Sequence, residues 1–314
     1  MEVSIILPVY NSEEYLSETI DSILCQTHEN FVLIITDDGS VDRSVEIIKK
    51  YMLEDERVIL IEKEHTGFAD SLNTAIKHAT TDWVFRIDAD DIMLPNRLEK
   101  QIEFIQSNNK LKVCSSLAYY INEKGKIFGK TSHNLFDKKK FNWYLKNNET
   151  IGILHPGSAL HRKTVLDIGG YRGRFFPAED IDLWNRLSEK GHLILVQNEI
   201  LMKYRVHSSS WVTSNFLASR MKYEWVRACI AARRNMLIEP TWDEFINEWN
   251  NYPFWAKINR WRKINAKQFY RMAGADRLNG RIIVALFEMG LAVILQPAYT
   301  IPRLSSQLQG KKSL

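Results

Sequence analysis

Cysteine is scarce in this chain of 314 residues: only Cys25, Cys114 and Cys229 are present. They are odd in number and far apart, so neither a disulfide framework nor a cysteine metal site is expected, and each reads as a buried thiol. The glycine-rich phosphate cradles are missing too, since no G-x-G-x-x-G follows the first apolar run and no G-x-x-x-x-G-K-[ST] occurs. That removes the usual dinucleotide and P-loop grips, and with them dehydrogenases and kinases. No basic and apolar leader precedes Glu2-Val3-Ser4, so no signal peptide is apparent and a cytoplasmic location is expected. The apolar run Ile282 to Tyr299 is broken by Glu288 and falls short of the about 20 residues a spanning helix needs. The net charge of +4 is small for this length and says little about partners; its distribution says more.

What is present begins with Asp88-Ala89-Asp90-Asp91, directly after the apolar run Trp83-Val84-Phe85-Arg86-Ile87. Alternate side chains of an extended segment share a face, so Asp88 and Asp90 can aim at one point. Hard oxygen ligands of this kind suit Mg²⁺ or Mn²⁺, which leave their other positions to phosphate oxygens and water. Taken alone, D-x-D reads equally as a solvated acidic turn before Pro95. Two earlier strands end in polar residues at equivalent places: Val3 to Leu7 closes on Pro8-Val9-Tyr10-Asn11, and Phe31 to Thr36 on Asp37-Asp38-Gly39-Ser40. A helical pattern follows each, which is the βαβ rhythm of a parallel sheet. Ligands of open α/β sheets lie outside the carboxyl ends of the strands, so Tyr10, Asp38 and Asp88 to Asp91 should line one crevice.

With these motifs in place the chain resembles the GT-A glycosyltransferases of family 2, which transfer a sugar from a nucleotide donor. The resemblance rests on Val3 to Asn11, Asp37-Asp38-Gly39-Ser40, Gly67 with Asn73, Asp88-Ala89-Asp90-Asp91, and Glu179-Asp180 ahead of Asp182-Leu183-Trp184. It implies an α/β fold of GT-A type, Rossmann-like, with a mostly parallel sheet flanked by helices over residues 1–210. Helical periodicity without further catalytic motifs marks a second domain over 211–314. The resemblance further implies that Pro8, Tyr10, Asn11, Asp38 and Gly67 serve the nucleotide, with Glu13 facing it. Asp88 would meet the ribose or diphosphate and Asp90 the metal, and His207 of Tyr204-Arg205-Val206-His207 would reach the metal or diphosphate. Arg205 would offer a phosphate contact, and Trp184 an acceptor or diphosphate contact. Leu72 and Thr74 depart from the arginine and glycine that many relatives carry around the asparagine. Asp70 and Arg86 are unusual at their positions and either tune the sugar or diphosphate pocket or, for Asp70, sit exposed on a helix from about Phe68 to His78.

The spacing of Ile181, Trp184 and Leu187 predicts a helix beginning near Glu179, after Pro177. Acidic residues in a first turn often only complement the helix dipole. Transfer to an acceptor hydroxyl also needs a base, and the resemblance assigns that role to Asp180, with Glu179 positioning it or touching the acceptor. A single in-line displacement with inversion follows. The rivals are a two-carboxylate hydrolase, a nucleotidyl transferase of the same fold, and a non-catalytic sugar-nucleotide-binding or scaffold protein. Tyr10 and Asp38 favour a uridine donor. His155 faces the acceptor or belongs to a turn, and the lysine-rich stretch from Asn122 to Lys146 is a solvated face or a loop over the acceptor.

From Tyr252 to Arg281, basic residues such as Lys257, Arg260, Arg262 and Lys263 face a single acid, Asp276. Phe254, Ile258, Trp261 and Ile264 fall on one helical face. A basic amphipathic helix with aromatics is a membrane-surface signature, so residues 252–299 are expected to contact a bilayer peripherally. The alternative is a core helix or a homo-oligomer contact. No nucleic-acid-binding motif accompanies the basic residues. A membrane contact would fit a glycan or lipid-linked acceptor in bacterial surface-polysaccharide synthesis.

Overall fold

The structure is a computed structural model that describes residues 1–131, 137–207, 215–278 and 280–308. By internal contacts the chain divides into two compact units, Met1–Tyr120 with Gly129–Arg205, and Ile121–Phe128 with Val206–Leu314. The boundary expected at residue 210 falls outside the described residues.

The first unit opens on β1 (Val3–Val9), α1 (Leu16–Leu24), β2 (Phe31–Asp37), α2 (Ser44–Glu54), β3 (Val58–Glu62), α3 (Phe68–His78) and β4 (Trp83–Arg86). The four strands lie in the order β3-β2-β1-β4 and all pair in parallel. Each has apolar side chains on both faces, as a sheet covered by helices on both sides requires. Val3, Ile5, Leu7 and Val9 of β1 meet Leu16, Ile20 and Ile23 of α1 in one core layer. Ile6 points the other way, into a second layer with Leu72, Ala75 and Ile76 of α3.

Beyond β4 come β5 (Ile92–Met93), α4 (Arg97–Gln106), β6 (Leu111–Ile121), β7 (Ile127–Lys130), α5 (Lys138–Lys146), β8 (Ala159–His161), α6 (Arg162–Asp167), α7 (Glu179–Glu189) and β9 (Leu193–Arg205). The sheet continues β4-β8-β6-β9-β5, with β7 on β6, and the pairs β4/β8, β6/β8 and β5/β9 are antiparallel. The sheet is therefore parallel over β3-β2-β1-β4 and carries antiparallel pairs beyond β4. Residues 132–136 of the lysine-rich stretch lie outside the described residues; Asp137 caps α5 by accepting the Lys140 N–H.

In the second unit, α8 (Phe216–Arg234), α9 (Trp242–Asn250), α10 (Phe254–Leu278), α11 (Ile282–Leu295) and α12 (Pro297–Leu308) follow in turn. Among the described residues no helix is long and apolar enough to cross a membrane. Cys114 and Cys229 are buried, whereas Cys25 is exposed just past α1, contrary to the expectation of three buried thiols.

Candidate active site

Parallel pairing sets Val9 beside Asp37 and Ile6 beside Arg86, so the residues that follow β1, β2 and β4 emerge on one sheet edge. Tyr10, Asp38 and Asp88 to Asp91 share that edge, and they divide it into an Asp38 end and an acidic end.

At the Asp38 end this residue is buried and its carboxylate is crowded with donors. Oδ1 accepts from Lys63 Nζ at 2.5 Å and from the Thr66 N–H at 3.1 Å; Oδ2 accepts from the Gly67 N–H at 2.9 Å. His65 Nδ1 stands 2.9 Å from Oδ2. Burial alone would raise the Asp38 pKa, but Lys63 and the two amides outweigh it and hold the carboxyl below its ordinary range. Gly67, at φ 104°, opens α3 in a conformation that L side chains rarely adopt. The exposed Tyr10 ring stacks on His65 with centroids 4.3 Å apart. Asn11 and Glu13 act on the neighbouring loop: Asn11 Oδ1 accepts the Val41 N–H at 2.9 Å, and Glu13 Oε2 accepts the Arg43 N–H at 3.0 Å. Pro8 lies within β1, level with Thr36. Asp70 is exposed on α3, as its surface reading expected, and its carboxylate accepts from Thr66 and lies 3.1 Å from Lys63.

At the acidic end the carboxylates converge through a turn rather than through an extended strand. The Asp91 N–H donates to the Asp88 carbonyl at 3.2 Å, and the fold-back brings ligand oxygens of Asp88, Asp90 and Asp91 within 4.8 Å of one another. Asp91, not foreseen as a ligand, is fully buried; Oδ1 accepts the Arg205 N–H at 2.8 Å, and Oδ2 has no hydrogen-bond partner among the described residues. Burial and the neighbouring Asp90 raise the Asp88 pKa to about 6 against the opposing pull of Arg86, and Asp91 is pushed well above its ordinary value by burial and both neighbours. Three hard oxygen donors, clustered and short of positive charge, fit a divalent cation.

Arg86 is the residue whose weight the sequence understated. Its side chain is buried at the end of β4, with Nη2 donating to Asp88 Oδ1 and the guanidinium 5.3 Å from the Phe68 ring centroid. Nε and Nη1 have no partner among the described residues. An arginine inside an otherwise apolar strand is costly unless anions face it, and that mismatch was the available signal. The Arg86 charge also acts on Glu179 and Asp180.

Glu179 and Asp180 open α7, whose amphipathic pattern buries Leu183, Trp184 and Leu187. Asp182 fixes the helix: fully buried, it accepts from Arg172 and, at 2.8 Å, from Arg186 Nε, which keep it below its ordinary pKa despite burial. Burial, then Asp180, raises Glu179 to about 8. Half-buried Asp180 rises to about 6, chiefly by burial, while its Oδ1 accepts the Ile181 N–H at 2.7 Å. The Asp88 charge raises both, so the two acidic clusters sense each other.

Two expected contacts, Trp184 and Arg205, have other surroundings, and His155 opens a turn, its carbonyl accepting the Ser158 N–H at 3.0 Å, in keeping with its turn reading. Trp184 is wholly enclosed in the core, 5.7 Å from the His155 ring, because it lies on the packed face of α7. His155 is buried with Nε2 2.7 Å from the Tyr171 hydroxyl, and burial holds its pKa well below the ordinary value, so it is neutral. Arg205 braces the acidic turn from within: Nε donates to the Asp90 carbonyl at 2.8 Å and Nη2 to Glu18 at 2.5 Å. His207 belongs to the second unit and stays an expectation. Asn73 ties α3 to the turn before α7, donating to the Tyr171 carbonyl and accepting the Tyr171 N–H, both at 2.8 Å.

An acid-lined edge on a half-parallel sheet is the arrangement of a GT-A nucleotide-sugar fold, and solved structures agree. Staphylococcus aureus TarS 1-349 in complex with UDP-GlcNAc superposes with a TM-score of 0.56 at 17% identity, covering 95% of this chain and 91% of that one. The mannosyltransferase PcManGT from Pyrobaculum calidifontis, in complex with GDP-Man and Mn²⁺, gives 0.56 at 17% over 99% and 81%. The chain belongs to glycosyl transferase family 2, whose model matches residues 4–169. EpsE of Bacillus subtilis is 33% identical over 69% of this chain and 78% of its own length. An uncharacterized glycosyltransferase of Methanocaldococcus jannaschii is 33% identical over 65% and 70%.

Proposed function

We propose that this glycosyltransferase is metal-dependent and inverting, and moves a hexose from a nucleotide donor, UDP-linked by preference, to a hydroxyl of a glycan or lipid-linked acceptor in surface-polysaccharide synthesis. The observation that carries the reading is the meeting of two acidic clusters, Asp88 with Asp90 and Asp91, and Glu179 with Asp180, around the buried Arg86. The donor complexes of TarS and PcManGT and the Mn²⁺ of the latter support it.

Asp88, Asp90 and Asp91 would hold Mg²⁺ or Mn²⁺, which when bound neutralises the charge that builds on the departing diphosphate. Tyr10 offers a ring face to the base, and Asp38, ionised at neutral pH, offers an acceptor to its edge in exchange for Lys63 or His65. With a pKa of about 6, Asp180 is ionised at neutral pH. It takes the acceptor hydroxyl proton as that oxygen bonds to the anomeric carbon and the bond from carbon to diphosphate oxygen breaks. Glu179, with a pKa of about 8, remains protonated and donates a hydrogen bond to the acceptor.

The test is nucleoside diphosphate release from UDP-, GDP- and dTDP-sugars with Mn²⁺ or Mg²⁺, for the parent and for Asp180→Asn. Release from one donor, lost with chelator and in the variant, establishes the reading and names the sugar. Donor binding without release under every acceptor tried would indicate a binding protein of the same fold.

A further inference from the structure

The two acids of the α10–α12 region are hidden. Asp276 and Glu288 are buried against each other between α10 and α11, where burial and Asp276 raise the Glu288 pKa and Arg281 pairs with Asp276 at 2.8 Å. Small residues, Ala266 and Ala273 of α10 with Ala285 and Ala292 of α11, let the helices approach. The outward charge is then all positive, with Lys257, Arg262 and Lys263 exposed. The outward apolar surface is large: Ile283 is 84% exposed, Leu286 and Phe287 68%, and Ile294 74%. These side chains recur at helical spacing on one face of α11, and Trp255 and Phe254 at the start of α10 are 76% and 68% exposed. Contiguous apolar surface of this kind marks an interaction site, and a helix of 14 residues is too short to span a bilayer.

We propose that the α10–α11 hairpin lies in the plane of an anionic bilayer, with Ile283, Leu286, Phe287 and Ile294 inserted among the acyl chains and the surrounding lysines and arginines against lipid phosphates. The main inserting element is α11, the second half of the segment 252–299 for which the sequence led us to expect a bilayer contact. A second copy of the chain is a poorer occupant, because docking like faces would set the same cations against each other. The proposal rests on the lipid-linked acceptor reading for its purpose and not for its chemistry, so the two fail separately.

The experiment is flotation of the intact protein with phosphatidylcholine vesicles, with and without phosphatidylglycerol, alongside donor release from soluble nucleotide sugar. The protein is expected to float only with phosphatidylglycerol and to be released by salt. Combined Ile283→Ser, Leu286→Ser and Phe287→Ser substitution should lower partitioning on the order of a hundredfold, with donor release unchanged. Combined Lys257→Glu, Arg262→Glu and Lys263→Glu substitution, which leaves the apolar face intact, should abolish the lipid selectivity. A parent protein that stays at the bottom of the gradient in low salt, or a serine variant that floats like the parent, overturns the proposal. So does a dimer, seen by light scattering without flotation, that the serine variant dissolves.

Discussion

The Asp38 end of the strand edge gathers several donors around one carboxylate, whereas at the acidic end one buried cation, Arg86, acts on four carboxyls. Asp38 meets an ammonium, two amides and an imidazole. At the other end Asp88, Asp91, Glu179 and Asp180 share Arg86, and Asp91 Oδ2 and Glu179 Oε2 are buried without partners among the described residues. The pKa directions follow: Asp38 is lowered, and the four carboxyls at the acidic end are raised. A carboxylate already satisfied by its neighbours therefore shares the edge with a group of carboxyls whose stability depends on what binds there.

The sharpest way to separate the two ends is Asp180→Asn, which should lower transfer by roughly 10²–10⁴-fold while calorimetry finds nucleotide affinity unchanged. Turnover within a few-fold of the parent would remove Asp180 as the base. Next comes Arg86→Met, which strips the shared cation from buried carboxylates and should cost about 3–5 kcal/mol in chemical unfolding, part of it recovered by Mn²⁺ through mass action. An unchanged unfolding midpoint would end the contrast between the two ends.

Titration offers a finer test. Because the Glu179 carboxyl is raised from 4.5 to about 8, the folded protein holds a proton that the unfolded chain has released. Its contribution is complete below the unfolded value and is lost as pH rises toward 8. In chelator, the parent should therefore lose melting temperature relative to Glu179→Gln between about pH 5 and 8. For Asp38 the sign is opposite, since its contribution is present above 3.8 and fades as pH falls through its lowered value. Parallel melting curves for the parent and Glu179→Gln would show that Glu179 has an ordinary pKa. The smallest effect is expected for His65→Ala, about 0.5–1.5 kcal/mol in nucleotide binding through the lost ring partner of Tyr10, read by calorimetry.

The strands, α3 and α7 were legible because their signals are local: apolar runs closed by polar residues, and apolar spacing behind Gly67 and Glu179. The expected limits of α3, Phe68 to His78, match those observed. The partners that decide charge were not legible. Asp38 receives Lys63 and Gly67 from the segment after β3, and Asp91 is held by Arg205, 114 positions away. Periodicity carries no information about such pairs, although Arg86 within an apolar strand was a visible anomaly. Trp184 was misjudged because an aromatic next to a catalytic motif reads as a contact, whereas its place on α7 makes it core.

Asn73 has one more consequence. A Cβ on Gly170, at φ 67°, would lie 2.4 Å from Asn73 Oδ1, so the amide and the bare backbone opposite it fit only as a pair. Across descendants of this chain, positions 73 and 170 should drift together or not at all. A recombinant that joined an α3 carrying Asn73 to a turn carrying a side chain at position 170 would be strained at this joint, even with every carboxylate in place.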